Sequence, residues 1–163
     1  METNVVPVDQ TMLVSWQKRL LNLVIDIIAL ILILVIIGLF AGVLALLGYD
    51  GLALWFGQMD SLTDRIVTTA VMVLYLFTME NFTQKTAGKY VTGTMVVMED
   101  GSKPDSRACI IRALCRIIGL EALSFLGSYP RGWHDTASGT YVVDAKKYRE
   151  AKELKTSIEE IGK

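Results

Sequence analysis

A long, mostly apolar stretch from Leu20 to Leu47 is the feature that most limits how this 163-residue chain can fold. From Ile27 onward the stretch carries no charged residue, and it is longer than the about 20 apolar residues that a helix needs to cross a bilayer core. The hydrophobic part of a signal peptide is shorter, about 7–15 residues, and a small-residue cleavage site follows it. No such site follows Leu47. The stretch therefore predicts a transmembrane helix.

A second, shorter apolar stretch covers residues 66–82. Hydrophobic residues make up 52% of the chain and the mean hydropathy is +0.43, which favours a membrane protein over a large soluble core. The connecting residues 48–64 contain no Lys or Arg, whereas Lys18 and Arg19 precede the first stretch and most other basic residues follow the second. The positive-inside rule then predicts that both termini face the cytoplasm.

The rest of the chain divides into smaller predicted elements. Residues 1–14 are predicted to be a loose cytoplasmic tail, 15–143 the membrane domain, and 144–163 a charged cytoplasmic helix. Two β-branched segments, 94–98 and 140–143, are predicted to pair as strands, and the Asp-Gly turn after the first is typical of a hairpin. We therefore expect a short hairpin-like element on the cytoplasmic face.

Residues 106–127 predict a basic amphipathic helix. Its apolar residues recur at helical spacing, and the arginines Arg112 and Arg116 lie on the opposite face. Such a helix suits an interfacial or partly re-entrant position against the spans. Cys109 and Cys115 lie on the reducing side, so no disulfide is expected, and their spacing does not match a zinc site. The predicted fold class is a mainly α membrane protein with two spans.

Asp26 is the residue that most needs an explanation, because a carboxylate in a membrane span costs roughly 2.5–3.5 kcal/mol and normally has a partner or a task. Arg19 is seven residues earlier, about 10 Å along a helix axis, which is too far for a direct ion pair unless Arg19 reaches inward. Either Asp26 is an interfacial acid, or it meets a cation from elsewhere, for which Arg112 and Arg116 are candidates. Glu80, at the end of the second stretch, is likewise either a boundary acid or a functional one.

A pair of small residues, Gly38 and Gly42, has the G-x-x-x-G spacing that lets two membrane helices approach closely. The alternative interpretation is that glycine is simply frequent in membrane spans. The pair therefore leaves self-association open.

The combination of motifs resembles the RDD family of small bacterial membrane proteins, named for one arginine and two aspartates. KRLLNLVIDIIAL places Arg19 and Asp26 on the first two signature positions, and HDTASGT places Asp135 on the third. The segment TAGKYVTGTMVVMEDG and the paired arginines of RACIIRALCR match further landmarks of the family. The resemblance covers residues 17–143 and implies a multi-pass protein of the bacterial inner membrane.

What the resemblance implies about activity is transport, with cation/proton exchange among the suggestions. Asp26 and Glu80 would then be a proton or ion relay, with a small cation as ligand and a homo-oligomer enclosing the pathway. The alternative is a non-transporting scaffold or regulatory subunit, in which Arg19, Asp26 and Asp135 form a structural network. Transport needs a loosely held carboxylate, whereas a scaffold needs a tightly paired one.

An enzyme is not expected. His134 is followed by Ser138 only four residues on, in a predicted turn that does not provide a catalytic triad. No cofactor, metal or nucleic acid is expected either, and the bilayer is the main partner.

Overall fold

The computed structural model describes residues 5–118 and 132–161 of the chain. Within these residues the fold is mainly helical, with one small sheet. In chain order the elements are α1 (Trp16–Leu46), α2 (Gly51–Gly57), α3 (Ser61–Thr83), α4 (Ala87–Thr92), β1 (Thr94–Met98), α5 (Ser106–Cys115), α6 (Trp133–Ser138), β2 (Thr140–Asp144) and α7 (Ala145–Ile161).

Helices α1 and α3 are both long and apolar enough to cross a membrane. They have 31 and 23 residues, so at about 1.5 Å per residue they measure about 46 Å and about 35 Å, against a bilayer core of about 30 Å. Large apolar side chains cover their outer surfaces, as at Ile36 (64% exposed) and Leu74 (65% exposed). The prediction of a mainly helical membrane protein with two such helices is confirmed.

The helices start earlier than the apolar stretches do. α3 begins at Ser61 rather than near residue 66, because the Asp60 carboxylate accepts hydrogen bonds from the backbone N–H groups of Leu62 and Thr63. Polar residues can thus form the first turn of a membrane helix when a capping residue precedes them.

Strands β1 and β2 form a two-stranded antiparallel sheet, with Thr94 opposite Asp144 and Met98 opposite Thr140. The predicted pairing is confirmed, but the hairpin prediction is wrong. The turn at Asp100-Gly101 does not join the two strands, because α5 and α6 lie between them in the chain. Gly101 instead closes a local turn, in which its N–H donates to the carbonyl of Met98.

Residues 5–14 are not a loose tail. Val14 N–H donates to the carbonyl of Val142, Leu13 bridges to Val143, and Met12 is buried in a small core with Val97 and Tyr148. The residues before α1 therefore join the sheet, and they fix the start of α1 beside it.

Helix α5 ends at Cys115 and is followed by a turn, so it is shorter than the predicted helix of residues 106–127; residues 119–127 lie outside the described part of the chain. Ile110 and Leu114 are exposed, whereas Arg112 is completely buried. α5 packs against α3 and α6, so its arginine face points into the protein and its apolar face points outward.

Candidate functional site

Helix α1 carries a buried polar stripe in its first half. Arg19, Asn22 and Asp26 are each 5% exposed, while Leu20, Leu21 and Val24 between them are 40–49% exposed. The three polar residues are separated by three and four positions, so they lie on one face. The polar stripe therefore faces the protein while the rest of the helix surface is apolar.

The Thr86–Lys89 segment covers this stripe, and it binds the Asp26 carboxylate directly. Thr86 Oγ1 donates to Asp26 Oδ2 at 2.7 Å, and Gly88 N donates to Asp26 Oδ1 at 2.8 Å. Tyr75 of α3 also donates to Oδ1, at 3.2 Å, and its hydroxyl accepts from Ala87 N at 3.0 Å. Asp26 therefore ties α1 to α3 and to the first turn of α4.

Gly88 has a second role, which is steric. A Cβ added at Gly88 would lie 2.3 Å from the backbone oxygen of Asn22, a distance at which atoms overlap. Only glycine lets the backbones of α1 and α4 approach this closely. The glycine of the T-x-G-K segment is thus explained by its contact with α1 and not by phosphate binding.

Glu80, near the C-terminal end of α3, is 2% exposed and is held by two cations. Lys89 Nζ lies 2.8 Å from Oε1, and Arg112 Nε lies 2.7 Å from Oε2. Both cations are completely or almost completely buried, so these ion pairs are shielded from solvent. Glu80 is therefore a tightly paired carboxylate.

Asp135, in α6, is completely buried between two arginines. Arg19 Nη1 contacts its Oδ2, and Arg112 Nη1 contacts its Oδ1 and also the hydroxyl of Thr140. Arg112 thus links Glu80 of α3 to Asp135 of α6. Arg19 pairs with Asp135 and not with Asp26, in keeping with the spacing that makes a direct Arg19–Asp26 pair too long.

Arg116 follows α5 and lies between two carboxylates without closely contacting either. Its Nη1 is 3.6 Å from Asp26 Oδ2, and its Nη2 is 3.5 Å from Glu80 Oε1. Its side chain is 14% exposed, more than that of the other arginines here. We use the term buried charge network for the seven charged residues Arg19, Asp26, Glu80, Lys89, Arg112, Arg116 and Asp135.

Burial and neighbouring charges shift the pKa values of groups in and beside the network that lie outside the two long apolar helices. Burial lowers the pKa of Lys89 to about 8, although Glu80 opposes the shift. Burial also lowers the pKa of His134 to about 4. The nearby Asp135 carboxylate, whose Oδ1 lies 3.1 Å from His134 Nε2, opposes this by raising the pKa. Burial opposes ionisation of Asp135, yet His134, Arg112 and Arg19 hold its pKa well below the usual value.

The neutral, buried His134 predicts that acid destabilises the fold. Its pKa falls from 6.5 in the unfolded chain to about 4, so the unfolded chain binds more protons between these values and stability rises with pH. We expect the free energy of unfolding to fall by about 2 kcal/mol from pH 7 to pH 5. Denaturant titration in detergent should show this fall in the wild type and a flat profile for His134→Gln. If the free energy of unfolding of His134→Gln fell with pH as steeply as that of the wild type, His134 would not be the cause of the pH dependence.

The Gly38 and Gly42 pair lies elsewhere, in the other half of α1. Both residues line a cavity of about 390 Å³ between α1, α2 and α3, together with Phe56, Asp64 and Thr68. A Cβ at either glycine would meet nothing within 4 Å in the described chain. The glycines are therefore not required by a close contact within the described chain.

Two residues of the site, Asn22 and Lys89, are not among those that the sequence analysis selects. Asn22 was missed, although it lies between Arg19 and Asp26 on the same face; its Nδ2 donates to Thr94 Oγ1 at 3.1 Å, and Thr92 donates to its Oδ1. A periodicity test for polar residues in the apolar stretch would have found it. Lys89 was noted only as part of a motif, and its pairing with Glu80 depends on how α4 folds back.

Comparison with known proteins gives one match. The family model of the RDD family matches residues 13–139, which is most of the chain and includes all three signature residues. No curated protein and no solved structure matches. Arg19 and the aspartates Asp26 and Asp135, which the family name denotes, all belong to the buried charge network. The chain is a membrane protein and belongs to the RDD family.

Proposed function

We propose that this protein is an ion-coupled transporter, in which Asp26 is the carboxylate that exchanges a proton for a small cation. The observation that carries the proposal is the difference between Asp26 and the two other buried carboxylates. Glu80 and Asp135 each contact two cations closely, whereas the one cation within 4 Å of Asp26 among the described residues is Arg116, at 3.6 Å. A transport site needs this looser kind of pairing.

The hydrogen bonds of Asp26 are compatible with both of its protonation states. Oδ1 accepts from Tyr75 and Gly88, and it can do so as a carboxylate oxygen or as the carbonyl oxygen of a neutral acid. Oδ2 faces the hydroxyl of Thr86, which can donate to a carboxylate or accept from a protonated acid. Gaining a proton at Oδ2 would therefore break none of these contacts.

Arg116 is the positive charge that compensates the Asp26 carboxylate when Asp26 is ionised. It is nearly equidistant from Asp26 and Glu80, at 3.6 Å and 3.5 Å. When Asp26 is neutral, Arg116 keeps Glu80 as a partner and is not left as an unpaired buried charge, which would be costly. Glu80 itself is then part of the framework and not of the relay.

A polar face of α3 supports a route toward Asp26 from the other side of the membrane. Asp64 and Thr68 line the cavity between the spans, and Tyr75, which donates to Asp26, follows on the same face. Two spans do not enclose a pathway alone, so the proposal includes a homo-oligomer. Gly38 and Gly42, which no contact within the described chain explains, are the proposed close-packing positions.

A second candidate function is a non-transporting scaffold, and one observation favours it. Asp26 also holds the first turn of α4 against α1, so the signature residues could be purely structural. The two candidates differ in whether Asp26 must exchange a proton.

Proton flux in sealed vesicles separates the candidates. We expect wild-type protein to give cation-driven proton movement and Asp26→Asn to lose it, because the amide keeps the size of the side chain but does not carry the exchanged proton. Asp50→Asn is the matched control, since it removes an exposed carboxylate from the loop before α2 and should keep full flux. Absence of flux above empty vesicles for wild type, over a series of monovalent and divalent cations, would favour the scaffold.

The proposed orientation places both termini in the cytoplasm of a bacterial cell, with a multi-pass arrangement in the inner membrane. It is supported by the absence of Lys and Arg in residues 48–64 between two basic flanks. In a background with Cys115→Ser, a cysteine at Ser61 should react with an impermeant thiol reagent in intact cells, and one at Ser157 should not. Labelling of the cysteine at position 157 alone would show that the orientation is the opposite of the proposed one.

A further inference from the structure

The buried charge network contains more positive than negative charge. Its described cations number four and its carboxylates three; these are Arg19, Lys89, Arg112 and Arg116 against Asp26, Glu80 and Asp135. His134 adds no charge at neutral pH, because its pKa is about 4. A buried excess of one positive charge is costly unless an anion compensates for it.

The excess charge surrounds a small cavity. Three of the four cations, Arg19, Lys89 and Arg116, line a space of about 30 Å³, together with Asn22 and His134. A water molecule needs about 10–15 Å³ of such space, so the cavity has room for a small ion. None of the three carboxylates of the network lines it. The cavity is therefore on the electropositive side of the network.

Arg19 presents unused hydrogen-bond donors at this cavity. The side chain is 4% exposed, and its Nη1 binds Asp135. Its Nε and Nη2 are buried and make no hydrogen bond. Among the described residues, every other buried side-chain nitrogen or oxygen has a hydrogen-bond partner. Buried polar groups in folded proteins are nearly always hydrogen-bonded, so two bare guanidinium donors indicate a ligand.

We propose that this cavity, between the start of α1, α4 and the turn after α5, binds a small inorganic anion of the chloride type. The anion accepts from Nε and Nη2 of Arg19 and balances the positive charge of Lys89 and Arg116. It completes the link between α1 and the cytoplasmic elements. The ligand is a free ion and not a lipid phosphate, because the polar residues that line the cavity on α1, α4 and α6 are at least 95% buried; these are Arg19, Asn22, Lys89 and His134.

The test is ligand-dependent stability of the full-length protein in detergent. Chloride replaces gluconate at constant ionic strength, and the unfolding midpoint is followed together with bromide binding by calorimetry. A ligand that binds only the folded protein raises the midpoint in a saturable way. We expect this for the wild type and for Lys18→Gln, which removes an exposed cation that pairs with Asp144 outside the cavity. Arg19→Lys keeps the charge opposite Asp135 but lacks the Nε and Nη2 donors, so it should lose at least ten-fold in halide affinity.

The remaining outcomes contradict the proposal. No midpoint shift and no bromide heat in the wild type would mean that the cavity holds water only. Equal halide effects in the wild type and Arg19→Lys would place the ion elsewhere. Stabilisation by phosphatidylglycerol but not by halide would identify a lipid headgroup as the ligand. Calorimetry on the wild type decides the question even where Arg19→Lys does not fold.

Discussion

Replacing Glu80 by Gln is expected to lower the free energy of unfolding by about 3–5 kcal/mol. The carboxylate is 2% exposed and pairs with Lys89 and Arg112 at 2.8 Å and 2.7 Å. The amide has almost the same size, so packing is kept and the loss is electrostatic. Two buried cations would lose their common partner, and a buried charge without a partner is the costly state.

Denaturant titration in detergent measures this loss, with Glu159→Gln as the control. Glu159 lies on the exposed surface of α7 and pairs with Lys155 at 3.9 Å, so its replacement should change stability by less than about 1 kcal/mol. A loss for Glu80→Gln as small as that of the control would show that Glu80 does not hold the framework together.

Replacing Gly88 by Ala is expected to destabilise the protein by about 3 kcal/mol or more, at the upper end for overpacking. The added Cβ would overlap the backbone oxygen of Asn22 at 2.3 Å. Because the obstacle is backbone within a helix, a side-chain rotation does not relieve it. α4 must move away from α1, and the hydrogen bond from Gly88 N to Asp26 must lengthen.

The same stability measurement tests this variant against Gly57→Ala. Gly57, at the end of α2, has no atom within 4 Å of an added Cβ, so its replacement should be nearly neutral. Equal stabilities of the two variants would contradict the close approach of α1 and α4.

The sequence predicted the elements of this fold well where one local signal decides them. The two long apolar helices and both strands follow from hydrophobic runs and β-branched residues. The hairpin prediction failed because a turn motif specifies the turn and not the partner strand. The Asp100-Gly101 turn exists, but the strand that pairs with β1 lies beyond α5 and α6.

The sequence predicted most charged residues of the candidate site, Lys89 excepted, but it did not predict how they pair. Asp26 and Glu80 stand out because carboxylates are costly in membranes, and Arg112 and Arg116 were proposed as partners. Which arginine meets which acid depends on contacts between residues distant in the chain, such as Arg112 with Asp135 and Lys89 with Glu80. The sequence also did not determine which face of α5 is buried. An amphipathic pattern distinguishes two faces of a helix but does not say which one packs against the protein, and in α5 the basic face is the buried one.

The most direct test of the proposed role of Asp26 is proton release on cation addition to purified protein in weakly buffered detergent solution. The proposal predicts that wild-type protein releases protons in a saturable way, that Asp50→Asn releases the same amount, and that Asp26→Asn releases none. Equal release from wild type and Asp26→Asn, or no release from the wild type with any cation of the series, would contradict it.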